Sequence, residues 1–249
     1  NIRKEGVYAQ CYSSYARVSR QPYVHQSLSA MTDHDLPILW TFRRCPYAMR
    51  ARLAIKRSGI LVYLREILLK DKPAEFVKDS EKATVPVLKL PDGKILEESV
   101  EIMLWALKQN DPDDWCQVLD AEAEYSKLFL TELDGAFKDA LDRYKYASRY
   151  GLNGDEVLGY RSIGSAFLQR VNERLDKHPF VSGQRQGFLD IASLPFVRQF
   201  RIADPIWFDN QNWDPLHEWL QQFLESEQFA VIMQKFKPWD SQKGDGISF

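Results

Sequence analysis

Ile38-Leu39-Trp40-Thr41-Phe42, then Arg43-Arg44, then Cys45-Pro46-Tyr47-Ala48: the chain passes from a strand-forming run to a cysteine set directly before a proline. Pro46 suits the first position of a helix. That puts Cys45 at the N-cap, where free backbone N–H groups and the positive end of the helix dipole favour a thiolate. Proteins make a cysteine reactive near neutral pH in this way, and Arg43 and Arg44 add to the preference for an anion. Downstream, Tyr47, Ala48, Ala51, Ala54, Ile55 and Ser58 fall on one helical face, with Arg50, Arg52, Lys56 and Arg57 on the other. Ala48 stands where a Cys-x-x-Cys pair would carry its second thiol, so a mechanism built on Cys45 takes that thiol from outside. The competing reading is a small buried cysteine that only packs; the proline, the arginines and the helical face favour the reactive one.

Working outward, strand and helix alternate from Pro37. Residues 38–42 read as a first strand, 46–58 as a helix stopped by Gly59, and 61–68 as a second strand. Pro73 opens a short helical piece through Phe76 and Val77. Residues 87–90 and 94–96 flank Pro91-Asp92-Gly93, the signature of a tight hairpin, and Ser99 is expected to cap a further helix. The order is β-α-β-α-β-β-α. After the polar break Gln109-Asn110-Asp111-Pro112-Asp113-Asp114 the pattern turns helical: one long segment over 118–146, then 156–175, 188–200 and 216–223, and an irregular tail over 237–249. A compositional change at such a linker marks a domain boundary. The expected organisation is an extension over 1–36, an α/β domain over 37–110 and an all-helical domain over 111–249.

The 249 residues carry a formal net charge of -2, which gives no broad surface for nucleic acid or membrane. Three cysteines, Cys11, Cys45 and Cys116, are few, odd in number and far apart, which speaks for a reducing compartment rather than a secreted disulfide framework. No apolar run reaches the ~18 residues of a membrane span. His34, His178 and His217 do not form metal spacing with the cysteines, so no metal is expected. Residues 1–30 hold Glu5 as their only acid among Ser, Tyr, Arg and Gln. Such a leader reads either as an organelle transit peptide or as an appended tail ahead of a start at Met31.

With that order in place, the chain resembles the cytosolic glutathione transferases from about Pro37 to about Phe236, and within them the cysteine-type, omega-like branch. Cys45-Pro46-Tyr47-Ala48 stands where other classes carry a tyrosine or serine hydroxyl. Lys70-Asp71-Lys72-Pro73, Val85-Pro86-Val87-Leu88 and Glu98-Ser99 follow in family order. The resemblance implies a thioredoxin-like N-terminal domain followed by a helical domain. It makes Cys45 the nucleophile and gives glutathione contacts to Lys72, Val85, Pro86, Glu98 and Ser99, with Val85-Pro86 a cis bond. Ser99 would hold the γ-glutamyl carboxylate and Glu98 the ligand's ammonium group. Gly187-Phe188-Leu189-Asp190 resembles the family's helix-start motif, with Gly187 where Ser or Thr is usual, leaving the capping box half present. Pro195 falls inside that helix, where a bend is expected.

Tyr47, Tyr125, Tyr144 and Trp207 are candidates for an acceptor site, together with Phe129, Tyr146 and Phe208; such aromatics more often serve a core. The resemblance implies a glutathione-dependent thiol transferase or reductase acting on mixed disulfides, dehydroascorbate or glutathionyl conjugates. Glutathione is then co-substrate rather than bound cofactor, the chain a homodimer, and its place the cytoplasm, or an organelle if residues 1–30 are a transit peptide. Two other classes stay open: a non-enzymatic binding module of the same fold, and a redox sensor pairing Cys45 with Cys116.

Overall fold

The structure is a computed structural model and describes residues 36–249. Cys11, Met31, His34 and nearly all of the expected N-terminal extension lie outside the described residues. The chain divides into two compact units: residues 36–112 together with Glu227–Phe249, and Asp113–Ser226.

In the first unit, β1 (Ile38–Thr41) leads through a tight turn into α1 (Pro46–Ser58). The helix ends at Gly59, whose φ of 72° is the left-handed cap conformation that glycine adopts without penalty. Next come β2 (Tyr63–Glu66), α2 (Ala74–Asp79), β3 (Val87–Lys89), β4 (Ile95–Leu96) and α3 (Ser99–Gln109). β1 and β2 are parallel, with Ile38 opposite Tyr63 and Thr41 opposite Glu66, while β3 runs antiparallel to both β1 and β4. This is the thioredoxin-like order expected from the sequence. The β3–β4 hairpin turns at Gly93 (φ 87°), and Asp92 Oδ1 accepts the Lys94 N–H. Helices α1 and α3 pack against each other, and Asn110 Nδ2 donates to the Ser58 carbonyl at the end of α1. Trp40, Ala48, Ile67, Phe76, Val85 and Val87 form a core of this unit.

The helical wheel of α1 misleads at two positions. Arg50 and Arg52, which the pattern places with the charged face, are both 1% exposed. A guanidinium can be buried where fixed acceptors meet its fork, and both arginines have such partners, described with the site below. Ser99 is not the cap of α3 but its first helical residue; Glu98 holds the cap position, without a side-chain cap bond.

The second unit holds α4 (Gln117–Ala121), α5 (Ala123–Glu132), α6 (Lys138–Lys145), α7 (Ala147–Tyr150), α8 (Gly154–Leu175), α9 (Phe188–Ala203), α10 (Pro205–Asp209) and α11 (Asp214–Glu225). The expected single segment over 118–146 is interrupted. Glu122 leaves helical geometry at φ -129°, ψ 52°, and a π-helical turn spans Leu133–Phe137. The wide turn keeps Leu133 and Phe137 buried in succession, with Phe137 4.5 Å from Phe167 and 5.7 Å from Phe200, ring centre to ring centre. α8 opens on a full capping box between Asn153 and Glu156.

At the start of α9, Gly187 lacks a capping oxygen, and the structure supplies one from elsewhere: Ser182 Oγ accepts the Leu189 N–H. A Cβ on Gly187 would sit 2.8 Å from that serine's own Cβ, so the residue that replaces the cap excludes anything but glycine at 187. Asp190 makes the other half, accepting N–H bonds from Gly187, Val181 and Ser182 and from Trp219 Nε1. α9 continues through Pro195 as one helix.

The tail is a correction. Rather than an irregular end to the helical domain, Glu227–Phe249 belongs to the first unit. α12 (Glu227–Ile232) packs on α1, and β5 (Ile247–Ser248) pairs antiparallel with β2, giving the sheet order β4-β3-β1-β2-β5. Trp239 sets its ring edge-on to Trp40 at 5.0 Å, and the Arg65 guanidinium lies over both rings. Nothing in the composition of 237–249 announces a strand, because a two-residue strand takes its stability from the edge it meets. Among the described residues no helix is long and apolar enough to cross a membrane.

Candidate active site

Cys45 is at the N-cap of α1 in extended geometry (φ -74°, ψ 122°), with Pro46 opening the helix behind it. Its backbone N–H donates to the Phe42 carbonyl and its carbonyl accepts the Met49 N–H, so the main chain is held on both sides. The side chain is partly exposed. It makes no cap bond to the helix amides here: the thiol donates toward the Val85 carbonyl, sulfur to oxygen 3.6 Å. Val85-Pro86 is a cis peptide. The structure therefore brings Cys45 and the Val85-Pro86 segment, 40 residues apart in sequence, side by side.

Behind this pair lies a layer of buried charge. Arg52 Nη1 donates to Thr41 Oγ1 and, at 3.4 Å, to the Phe42 carbonyl, and Nη2 donates to the Arg43 carbonyl at 2.8 Å. Glu66 on β2 takes the Arg43 N–H at 2.7 Å. Burial pushes the Arg52 guanidinium down to about 10, against the attraction of Glu66 and Cys45; it stays protonated at neutral pH. Burial raises the Glu66 carboxyl, opposed by the Arg43 N–H and the Arg52 charge. Arg43 also donates through Nη1 to the Met233 carbonyl.

Ser99 is buried, and its hydroxyl oxygen accepts from Arg50 Nε at 2.9 Å. The same guanidinium lies 5.0 Å from the centre of the Tyr47 ring. With its oxygen taken by an arginine donor, Ser99 has its hydroxyl proton to give, the polarity a carboxylate requires. Glu98 is ion-paired with Lys82 at 3.3 Å, and Lys82 also reaches Glu97. Burial opposes the Lys82 charge, but Glu98 and Glu97 outweigh it and raise its pKa. Lys72 is exposed in the segment between the Leu68–Asp71 bridge and Pro73, which precedes α2.

The candidate acceptor residues of the second unit divide. Tyr144 and Trp207 both stand against Phe200, at 5.1 and 6.3 Å, and Arg161 lies over the Trp207 ring. Tyr125 pairs instead with Phe129 and lies beneath Arg174; burial pushes its hydroxyl up to about 12. Phe129 and Phe208 are buried core. Among the described residues no cluster of His, Cys, Asp or Glu could hold a metal ion.

Sequence reasoning missed Arg50, Arg52, Glu66 and Lys82. An arginine on a helix already rich in arginines carries no signal of burial. Glu66 gives one faint hint, as one of two charged residues, with Arg65, in the otherwise uncharged run 61–68.

Comparison with solved structures identifies this architecture. A glutathione transferase family member from Pseudomonas fluorescens, solved with two glutathione bound, matches with a TM-score of 0.65 at 14% identity, over 82% of this chain and 95% of its own. A glutathione S-transferase from Methylobacillus flagellatus with GSH bound gives 0.65 at 18% identity, over 79% and 98%. The fold is that of the glutathione transferase superfamily. Within this fold, glutathione transferase Omega 3C from Trametes versicolor matches with a TM-score of 0.63 at 16% identity, over 92% and 96%. The family pattern described as glutathione S-transferase, N-terminal domain, matches residues 39–115. That stretch contains Cys45, Lys72, Val85, Pro86, Glu98 and Ser99, while Tyr125, Tyr144 and Trp207 lie beyond it. In sequence, the chain is 22% identical over 175 residues to mouse glutathione S-transferase omega-1, covering 67% of this chain and 68% of that protein. It is 31% identical over 91 residues to the rat protein of that name, covering 36% of this chain and only 32% of the rat protein.

Proposed function

We propose that this chain is a glutathione-dependent thiol transferase of the omega-like type, with Cys45 as its nucleophile. The observation that carries the reading is the juxtaposition at the start of α1: a partly exposed thiol on a helix N-cap, within 3.6 Å of the Val85 carbonyl. The omega-named relatives and the glutathione-bound neighbours of the same fold support it.

The Cys45 thiolate attacks the glutathionyl sulfur of a mixed disulfide RS–SG. The sulfur–sulfur bond breaks, RS⁻ leaves and takes a proton from water, and Cys45–S–SG remains. A second glutathione thiolate attacks the glutathionyl sulfur of this intermediate, releasing oxidised glutathione and restoring the Cys45 thiolate. Glutathione thus supplies the reducing electrons. Dehydroascorbate and glutathionyl conjugates are the other acceptors that fit a single-cysteine cycle.

For the glutathione itself, Val85 offers its main chain like a strand edge, Ser99 its hydroxyl to the γ-glutamyl carboxylate, and Glu98 a carboxylate for the ammonium group. Lys82, already paired with Glu98, competes for that last contact. Lys72 would reach the ligand from its exposed segment. Tyr47, Tyr125, Tyr144 and Trp207 are the acceptor-side candidates.

Cys45→Ala should lose glutathione-dependent disulfide reduction by at least about a hundredfold, a barrier change of ~3 kcal/mol, and keep its glutathione affinity. Steady-state turnover and calorimetric titration on the purified chain read the two quantities; undiminished turnover sinks the mechanism. The proposal includes a homodimer, for which light scattering at micromolar concentration should give twice the 29.0 kDa chain mass.

A further inference from the structure

We propose that Arg52 is the positioning residue of the Cys45 thiolate, fixing from inside the unit the turn that carries the cysteine and supplying the buried positive charge that the ionised sulfur sees. This deepens the thiol-transferase reading and rests on it.

The geometry is specific. The guanidinium binds three consecutive residues, Thr41, Phe42 and Arg43, through side-chain oxygen, carbonyl and carbonyl. The Phe42 carbonyl is the acceptor that also takes the Cys45 N–H. One side chain of α1 thus grips the β1–α1 turn up to two residues before the cysteine. Among the described residues only neutral oxygens accept from the two terminal nitrogens, and Arg52 Nε is buried without a hydrogen-bond partner. A cation held this way keeps much of its field, because a nearby anion has not been bound directly to it.

The charges that act on Arg52 are Glu66 from β2, Cys45, and the like charge of Arg43. The other elements packed on α1 bring Glu101 and Lys108 on α3 and Glu227 on α12; none of these is among the charges acting on Arg52. Glu101 answers to Lys94, Glu98, Lys82 and Glu97 instead. When Cys45 gives up its proton to water, Arg52 therefore faces two anions, of which Glu66 also draws on the Arg43 charge.

That arrangement has a signature with two signs. Removing the cation must raise the pH at which Cys45 ionises. Removing the competing carboxylate must lower it. A helix terminus acting alone requires neither shift, and a merely structural role for both residues would disturb the turn in the same direction.

The test is the pH dependence of Cys45 alkylation by iodoacetamide in the full chain, read at the Cys45 peptide by mass spectrometry, with circular dichroism as the check on folding. Arg52→Met should raise the midpoint by about one pH unit or more, and Arg52→Lys, which keeps the charge but not the fork, should recover most of that shift. Glu66→Gln, whose amide oxygen can still accept the Arg43 N–H, should move the midpoint down. A folded Arg52→Met with the wild-type midpoint overturns the proposal, as does an upward shift in Glu66→Gln. If Arg52→Met does not fold, the sign of the Glu66→Gln shift decides alone. The broader reading fails separately: a wild-type midpoint at or above the ~8.5 of an ordinary cysteine, together with full turnover in Cys45→Ala, removes the nucleophile itself.

Discussion

Each unit buries a charge against the turn that leads into a helix, and the two charges are treated in opposite ways. Asp190 in the helical unit is wholly buried and takes four N–H donors: Gly187, Val181, Ser182 and Trp219. Burial raises its pKa, and those donors pull it back. Among the described residues, Arg52 in the strand unit is bonded only to neutral oxygens and keeps one buried nitrogen unmatched. A charge whose hydrogen-bonding capacity is filled by its own fold is a joint. A charge left short of a partner, beside a cysteine, is an electrostatic resource.

The sharpest way to break this contrast is Asp190→Ala. It would strand three backbone donors and an indole N–H in the interior, so unfolding by denaturant should show a loss of about 3–5 kcal/mol. The Cys45 alkylation midpoint should not move; if it does, the helical-unit charge is not purely a joint. Ser99→Ala comes next, with glutathione binding weakened by about 1–2 kcal/mol for a lost bond to a charged group. An unchanged Kd by calorimetry would put the γ-glutamyl carboxylate elsewhere.

Trp239→Ala removes the half-buried ring that lies against Trp40 and Arg65. A stability loss of about 1–2 kcal/mol is expected from the lost aromatic and cation–π contacts. A null effect on the thermal midpoint would mean that the tail does not brace the sheet.

The smallest effect belongs to the exposed Arg201–Asp209 pair, joined at 2.6 and 2.7 Å. The Arg201 hydrogen bonds hold the Asp209 carboxyl below the usual carboxylate range. Its contribution is therefore present above the unfolded carboxylate value of ~4 and lost as pH falls through the lower folded value. The Asp209 side chain is 45% exposed, so screening keeps the effect below about 1 kcal/mol. Arg201→Ala should flatten that acid limb of the stability curve slightly and change nothing at neutral pH beyond this amount.

The thioredoxin-like order was legible because its signals are local: Pro46 at a helix start, Gly59 at a helix end, Pro91-Asp92-Gly93 at a turn. Cys45 stood out locally, by its place before Pro46, whereas the glutathione contacts proposed for Val85, Pro86, Glu98 and Ser99 rest on resemblance, since no local rule makes a serine at a helix start a ligand. The burial of Arg50 and Arg52 was not legible, because a helical wheel sorts residues by polarity. What fixed these two arginines was acceptors brought from Thr41, Phe42, Arg43 and Ser99. The replacement of the missing cap at Gly187 by Ser182, and the joining of 227–249 to the strand unit, are likewise tertiary facts.

That last feature has a consequence for synthesis. Val62 exchanges main-chain hydrogen bonds with Phe249, and Arg65 Nε reaches the Asp245 carbonyl across 180 positions of sequence. A ribosome makes β2 long before its outer neighbour exists, with the whole helical unit still to come. Throughout that interval the open row of N–H and C=O groups on β2 is a template for the wrong strand. The nascent chain passes through that stage with the strand unit unfinished, and the unit closes only once β5 has been made.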